Sequence, residues 1–428
     1  MPIMRHSPRL PFKITPQIPL TMLPKSIEEI RAGYPVLDRE VYGRPLIYLD
    51  NTATSQTPRR VVEAVERMYY GYKANVHRGV HTLSQEATEM MEATRRKVAR
   101  YINASSAEEV IFTRGTTEGI NLVASSYGGE FLRDGNRIIL TVMEHHANIV
   151  PWQLLQRRKD IHIDVVPIHP DGSLDLERYR SLFTDRTRLV AFCHVSNVLG
   201  TVNPVKEMVA TAHAHGCVAV VDGAQASPHT RIDVRDLDVD FYTFSSHKMY
   251  GPCGVGVLYG RRELLEKMPP YQGGGEMISH VSFSGTTFAE LPFKFEAGTP
   301  DFVDIAAFSR ALDYIDELGI ENIAAHEHEL LEWTTAEMMK IPGMRIFGTT
   351  PGKAAVISFL VGDAHHYDTG MLLDKLGVAV RTGHHCAQPL MEALGIEGTV
   401  RASFAVYNTL DECRAFIAAL NRIVPMLL

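Results

Sequence analysis

The chain has few cysteines, and none in a recognisable pattern. Cys193, Cys217, Cys253, Cys386 and Cys413 are odd in number, widely spaced and without a C-x-x-C pair, which argues against a disulfide framework and a zinc ribbon and suits reduced cytoplasmic thiols. Metal-ligand spacings are also missing, so no metal is expected. No apolar run reaches the roughly 18 residues a membrane helix needs, and the N-terminus shows no signal-peptide regions. Positive charge is not in excess. A formal net charge of -7 gives no electrostatic reason to expect nucleic acid or an anionic membrane as partner. There is no internal repeat or low-complexity tract. What is present is an ordinary globular composition, 45% hydrophobic and 22% charged over 428 residues, longer than one core usually supports, so two domains are expected.

Residues 1–21 hold five prolines and no amphipathic period, and read as a leader or a misassigned start, with Met22 as a candidate true start. The expected organisation is a leader over 1–25, a large domain over 26–304 and a smaller C-terminal domain over 305–428. Pro58 stands where a helix would begin, and a second helix is expected to open at Ser84 and run toward Ile102. From there apolar runs recur: Val110 to Phe112, Ile138 to Leu140, Ile163 to Val166, Leu189 to Phe192, Val218 to Val221 and Phe241 to Phe244. Continuous rather than alternating runs imply strands buried on both faces, hence an α/β fold with a mostly parallel sheet under covering helices. The stretch 278–299 reads as a hairpin or extended arm. Beyond residue 305 helices alternate with strands, as in a smaller α+β unit, and Thr409-Leu410-Asp411-Glu412 is a capping box for a last helix.

In a parallel sheet the chemistry collects where strands end. Gly115-Thr116-Thr117 follows the first run, Glu144-His145-His146-Ala147-Asn148 the second, Ser196-Asn197 the fourth, Asp222-Gly223-Ala224-Gln225 the fifth and Ser245-Ser246-His247-Lys248 the sixth. Each piece has an ordinary reading: a helix cap, a turn aspartate, a surface lysine, a hydrogen-bonded or metal-binding histidine pair. Their shared edge and order do not. An acid such as Asp222 can keep a pyridine nitrogen protonated; a Gly-Thr-Thr helix start with Ser245 and His247 offers donors to a phosphate; Lys248 supplies an amine; His145 can lie flat on a ring. That is the inventory of a pyridoxal 5'-phosphate site.

Six segments then carry a resemblance: Arg114 to Asn121, Met143 to Trp152, His194 to Gly200, Asp222 to Gln225, Ser246-His247-Lys248 and Arg381-Thr382-Gly383-His384-His385-Cys386. From about residue 26 to the end, the chain resembles the fold-type I pyridoxal-phosphate enzymes of the cysteine desulfurase family, in particular the SufS-like branch related to selenocysteine lyases. The resemblance implies a large domain with a mostly parallel seven-stranded sheet and a smaller α+β domain carrying the catalytic cysteine loop. It implies that Lys248 carries the cofactor as a Schiff base, Asp222 pairs with the pyridine nitrogen and Gln225 meets the ring hydroxyl. Thr116, Thr117, Ser245 and His247 would hold the phosphate and His145 would stack on the ring. Asn197 and Arg401, with Arg381, would bind the substrate carboxylate, and Thr299 would reach the phosphate of a second subunit. Thr52 departs from the alanine more usual in the family.

The reaction so implied takes L-cysteine, or L-selenocysteine, to L-alanine and leaves the sulfur as a persulfide on Cys386, whose neighbours His384, His385 and Arg381 favour a thiolate. Cys193 and Cys217, in or beside apolar strands, read as inert. A homodimer, a sulfur acceptor of the SufE or SufU type and an iron-sulfur scaffold are the implied partners. Selenocysteine lyase, another pyridoxal-phosphate reaction such as transamination, and a non-catalytic scaffold are the competing readings.

Overall fold

Seven strands between residues 110 and 260 form one sheet in the computed structural model, which describes residues 23–428. The leader read over 1–25 and the start read at Met22 lie outside the described residues, apart from Leu23, Pro24 and Lys25. The strands are β1 (Val110–Thr113), β2 (Arg137–Thr141), β3 (His162–Val166), β4 (Thr187–Cys193), β5 (Val218–Asp222), β6 (Phe241–Ser245) and β7 (Gly256–Gly260), in the order β1-β7-β6-β5-β4-β2-β3. All neighbouring pairs are parallel except those of β7, which runs antiparallel to β1 and β6. Side chains alternate across a strand, so Val190 and Phe192 of β4 enter the core on one face while Leu189 and Ala191 enter the core on the other. Two apolar faces are why these strands read as unbroken apolar runs.

Helices cover both faces. Helix α1 (Arg59–Arg67) starts after Pro58, and α2 (Thr82–Tyr101) begins two residues before the expected Ser84. The reason is local: His81 Nδ1 accepts the Ser84 amide at 3.3 Å, while the Ser84 hydroxyl donates to the Asn75 carbonyl at 2.6 Å instead of capping. Helix α3 (Thr116–Val123) opens at Gly115. The hairpin expected after residue 278 is β8 (Ile278–Ser282) with β9 (Gly285–Phe288).

Helix α4 (Phe302–Leu318) packs on α1 and α2, and α5 (Ile320–Met338) crosses to a second core. There an antiparallel sheet of β10 (Met344–Phe347), β11 (Val356–Val361), β12 (Arg381–Gly383) and β13 (Thr399–Ser403) runs in the order β10-β11-β13-β12. Helix α6 (His366–Asp374) and the last helix, α7 (Leu410–Leu427), pack beside it. The Thr409–Glu412 capping box is present, and α7 buries Phe416, Leu420, Ile423 and Val424, each contributing about 1.5–3 kcal/mol. The N-terminal segment joins this unit as well: Ile47–Tyr48 pairs in parallel with Val378–Ala379, and Asp50 bridges to Ser403.

One buried ion pair ties α2 to the loop before α4. Arg95 Nη1 and Nη2 donate to Glu296 Oε1 and Oε2 at 2.6 and 2.9 Å, and Glu296 Oε1 also accepts the β1 amide of Phe112 at 2.7 Å. Removing the acid would leave a buried guanidinium with Glu92 as its one charged partner and the Val110 carbonyl beside it. Glu296→Ala should therefore lower stability by about 3 kcal/mol in denaturant unfolding; a loss below 1 kcal/mol would contradict this account of the pair.

Candidate active site

The strand ends of β1, β2, β4, β5 and β6 surround a cavity of about 210 Å³, closed on the far side by residues of the second unit. Every site residue expected from the sequence lines it except Thr299, which is exposed and elsewhere. Asp222 and Lys248 leave adjacent parallel strands, β5 and β6. Burial pushes the Lys248 amine down to about 8; Asp222 and Cys386 work against that shift, while Arg401 and Arg381 add to it. Asp222 is buried, accepts the Ala224 amide at 2.9 Å and forms no ion pair among the described residues. Burial raises its carboxyl above the usual range, with Lys248 and the Ala224 amide opposing.

His145 ends the β2 exit. Its Nδ1 accepts the Ala147 amide at 3.0 Å, so the ring proton sits on Nε2, and burial beside Lys248 holds the imidazole neutral, down to about 3. Glu144, given no role by the sequence, fastens this turn: it accepts the Cys193 amide at 3.1 Å and the Asn148 side chain at 2.7 Å, and burial raises it to about 7.

At the other end, Ser245 Oγ accepts the Thr116 amide at 2.8 Å and meets Thr116 Oγ1 at 2.9 Å. Thr117 lies in the first turn of α3, exposed, and His247 Nδ1 is 3.2 Å from Thr54 Oγ1. Burial lowers His247 to about 4. The approach here is close: a Cβ on Gly256 would come within 2.3 Å of Gly115 Cα, and one on Gly115 within 3.3 Å of Ser245 Oγ. The result is a cradle of amides and hydroxyls at a helix start, suited to a phosphate.

The carboxylate end is more connected than the sequence suggested. Arg401 Nη1 donates to the Asn197 carbonyl at 2.9 Å, and the Asn197 amide donates to the His385 carbonyl at 2.8 Å. Gln225 Nε2 donates to the Thr52 carbonyl at 2.8 Å; Thr52 itself is buried on the cavity wall with its hydroxyl unpartnered. Asp50, also unassigned from the sequence, faces both arginines: its Oδ1 is 3.3 Å from Arg401 Nη2 and its Oδ2 3.8 Å from Arg381 Nη1. The signal that could have found it is the acid leading Asp50-Asn51-Thr52 at a strand exit.

Cys386 is half-buried in the loop after β12. Both His385 (φ 51) and Cys386 (φ 56) are left-handed, an unfavourable backbone for residues with side chains. The loop is held by His146 N to Cys386 O at 2.7 Å and by Cys386 N to His384 Nδ1 at 3.1 Å. Cys193 and Cys217 are buried and burial raises both thiols, Cys217 to about 11, in keeping with the inert reading.

Pyridoxal phosphate fits this donor set. Asp222 is a buried carboxylate with no ion pair among the described residues, Lys248 a buried amine of lowered pKa, His145 a neutral ring, and the Gly115 turn a cradle suited to a phosphate. The fold and the site together define a fold-type I pyridoxal-phosphate enzyme. The chain matches the aminotransferase class-V family over residues 47–416. It is 51% identical over 403 residues to the cysteine desulfurase of Salmonella agona, covering 94% of this chain and 99% of that one. Among solved structures it resembles the cysteine desulfurase CsdA from Escherichia coli (38% identity, TM-score 0.88, 94% of this chain and 100% of that one). It also resembles the apo cysteine desulfurase of Thermococcus onnurineus NA1 (39%, TM-score 0.89, 95% and 99%). The chain belongs to the class-V aminotransferase family and, within it, to the cysteine desulfurases.

The amine of Lys248 is open to direct titration. In cofactor-free protein its acylation by an amine-reactive reagent, read by peptide mass spectrometry, should rise with a midpoint near 8 rather than the usual 10.5. Asp222→Asn should move the midpoint lower, since the carboxylate opposes the downward shift. A midpoint near that of surface lysines would contradict the burial.

Proposed function

We propose that the chain is a pyridoxal-phosphate-dependent cysteine desulfurase that converts L-cysteine to L-alanine and keeps the sulfur as a persulfide on Cys386. One observation carries the reading: Lys248, Asp222 and Cys386, from three separate segments, face a single cavity together with Arg401. Bound there, pyridoxal phosphate supplies a protonated ring that draws electrons from the amino acid Cα.

The chain's own groups do the rest. Asp222 would hold the proton on the ring nitrogen, His145 would stack on the ring, and Thr116, Thr117, Ser245 and His247 would hold the phosphate, with Gln225 at the ring hydroxyl. Arg401 takes the substrate carboxylate, with Asn197 and Arg381 beside it. Lys248 Nζ, depressed to about 8, is neutral in a sizeable fraction near neutral pH and so takes up the Cα proton and later returns one. Cys386 Sγ, as thiolate, attacks the substrate sulfur. The new S–S bond forms as the C–S bond breaks, its electron pair stays with Cβ, and Cβ takes a proton on the way to alanine. The strained loop, gripped through Asn197 and His146, holds Sγ at the cavity.

The SufS-like branch, a homodimer, and transfer of the persulfide to a SufE- or SufU-type acceptor for iron-sulfur assembly belong to the same reading. Thr299, exposed and off the cavity wall, is free to reach the phosphate site of a second copy. A cytoplasmic setting belongs to the same reading; among the described residues no helix is long and apolar enough to cross a membrane. The division at 26–304 and 305–428 belongs to the same reading; the two separate sheets support two units, while the packing of α4 on α1 and α2 favours a connection nearer Gly319 than residue 305.

The test is turnover of L-cysteine and L-selenocysteine with alanine and sulfide followed together. Lys248→Ala should abolish alanine formation from both. Cys386→Ala should abolish it from L-cysteine and remove the persulfide from the protein's mass spectrum. Full activity of Cys386→Ala on L-cysteine would overturn the persulfide route.

A further inference from the structure

Asp50 stands between two arginines at the end of the cavity that the substrate carboxylate would occupy. It follows the strand Ile47–Tyr48 and bridges to Ser403, two residues from Arg401 on β13, so Arg401 and Ser403 share a sheet face. Asp50 is thereby fixed by backbone as well as by charge.

Arg401 is 2% exposed. A guanidinium presents its N–H groups in one plane with a fixed fork geometry. Nη1 is committed to the Asn197 carbonyl at 2.9 Å and one N–H of Nη2 to Asp50 Oδ1 at 3.3 Å. Nε has no partner. Three of its five N–H groups are unspent, Nε–H, one on Nη1 and one on Nη2; Nε and Nη2 lie along one edge, which matches the two oxygens of a carboxylate. Charge points the same way. Arg381 Nη1 lies 3.8 Å from Asp50 Oδ2, so without the acid the exposed Arg381 and the buried Arg401 would stand side by side uncompensated, with Lys248 nearby. With it, the arginine pair carries one net positive charge, matched to one carboxylate.

We infer that Asp50 is a positioning residue for the substrate's α-carboxylate: it holds Nη2 of Arg401 from one side and cancels one of the two arginine charges, so that the Nε–Nη2 edge is presented to a monoanionic amino acid. This deepens the desulfurase reading and rests on it.

The experiment uses full-length holoenzyme and three ligands: L-cysteine for KM and kcat, L-alanine for Kd by spectral titration, and cysteamine, which lacks the carboxylate. Asp50→Ala should raise KM for L-cysteine and Kd for L-alanine about tenfold or more, the effect of losing a charge-assisted hydrogen bond, with kcat changed far less and cysteamine turnover unaltered. Asp50→Asn keeps an oxygen acceptor for Nη2 and should bind L-alanine at least as tightly as the unmodified chain, while L-aspartate gains affinity relative to L-alanine. Equal losses for cysteamine and L-cysteine, an unaltered L-alanine Kd in Asp50→Ala, or an Asp50→Asn chain as weak as Asp50→Ala would each overturn the inference and leave the desulfurase reading standing. If Asp50→Ala does not fold, the L-aspartate to L-alanine ratio in Asp50→Asn decides, and an unchanged ratio overturns it. An unmodified chain that neither binds nor turns over amino acids overturns both.

Discussion

The burial of an amine and a carboxylate at the exits of two adjacent parallel strands is the constraint on which the rest of this structure depends. Asp222 ends β5 and Lys248 follows the end of β6 at Ser245, strands apolar on both faces that carry their polar ends out of the core to one edge of the sheet. In that setting each group opposes the other's shift, and neither is screened as a surface pair would be. The carboxyl is raised and the amine lowered by the same burial. An aromatic cation with an aldehyde is the kind of ligand that answers both groups at once, which is why the site reads as one cofactor's site rather than as two strained residues.

The cavity is completed from across the molecule. The second unit contributes Arg401, Arg381 and the Cys386 loop, and the segment before α1 contributes Thr52 and Ala53, with Asp50 set against the two arginines. Asn197 links the two units, accepting from Arg401 through its carbonyl and donating to the His385 carbonyl through its amide. The loop it grips has two consecutive left-handed residues with side chains, a conformation costing on the order of 1–3 kcal/mol each and stable only where surrounding bonds enforce it. Arg401 and the Cys386 loop are therefore joined through Asn197.

Much of this was legible in the chain. The unbroken apolar runs gave both the parallel sheet and its buried position, because a strand covered on two faces has no polar face to alternate with. The residues leaving those runs, Thr116, Thr117, Asp222 and Lys248 among them, are the ones that line one cavity. Short-range competition was harder to see: at the start of α2 the His81 ring caps the helix while Ser84 is drawn to Asn75. Glu144 sat in a motif whose histidine drew attention, and its role as the fastener of that turn depends on contacts from β4 and Asn148.

The sequence by itself determined which chemical groups stand at which strand exits, because strand burial and turn formation are decided by neighbours a few residues apart. Only the tertiary structure decided how those groups act on one another. The lowered amine of Lys248, the neutral ring of His145 and the unpartnered Nε of Arg401 are products of burial, and burial is set by elements distant in the chain. Asp50 is the plainest case: given no role by the sequence, it becomes a partner of Arg381 and Arg401 only when β13 and the segment after Tyr48 are brought side by side.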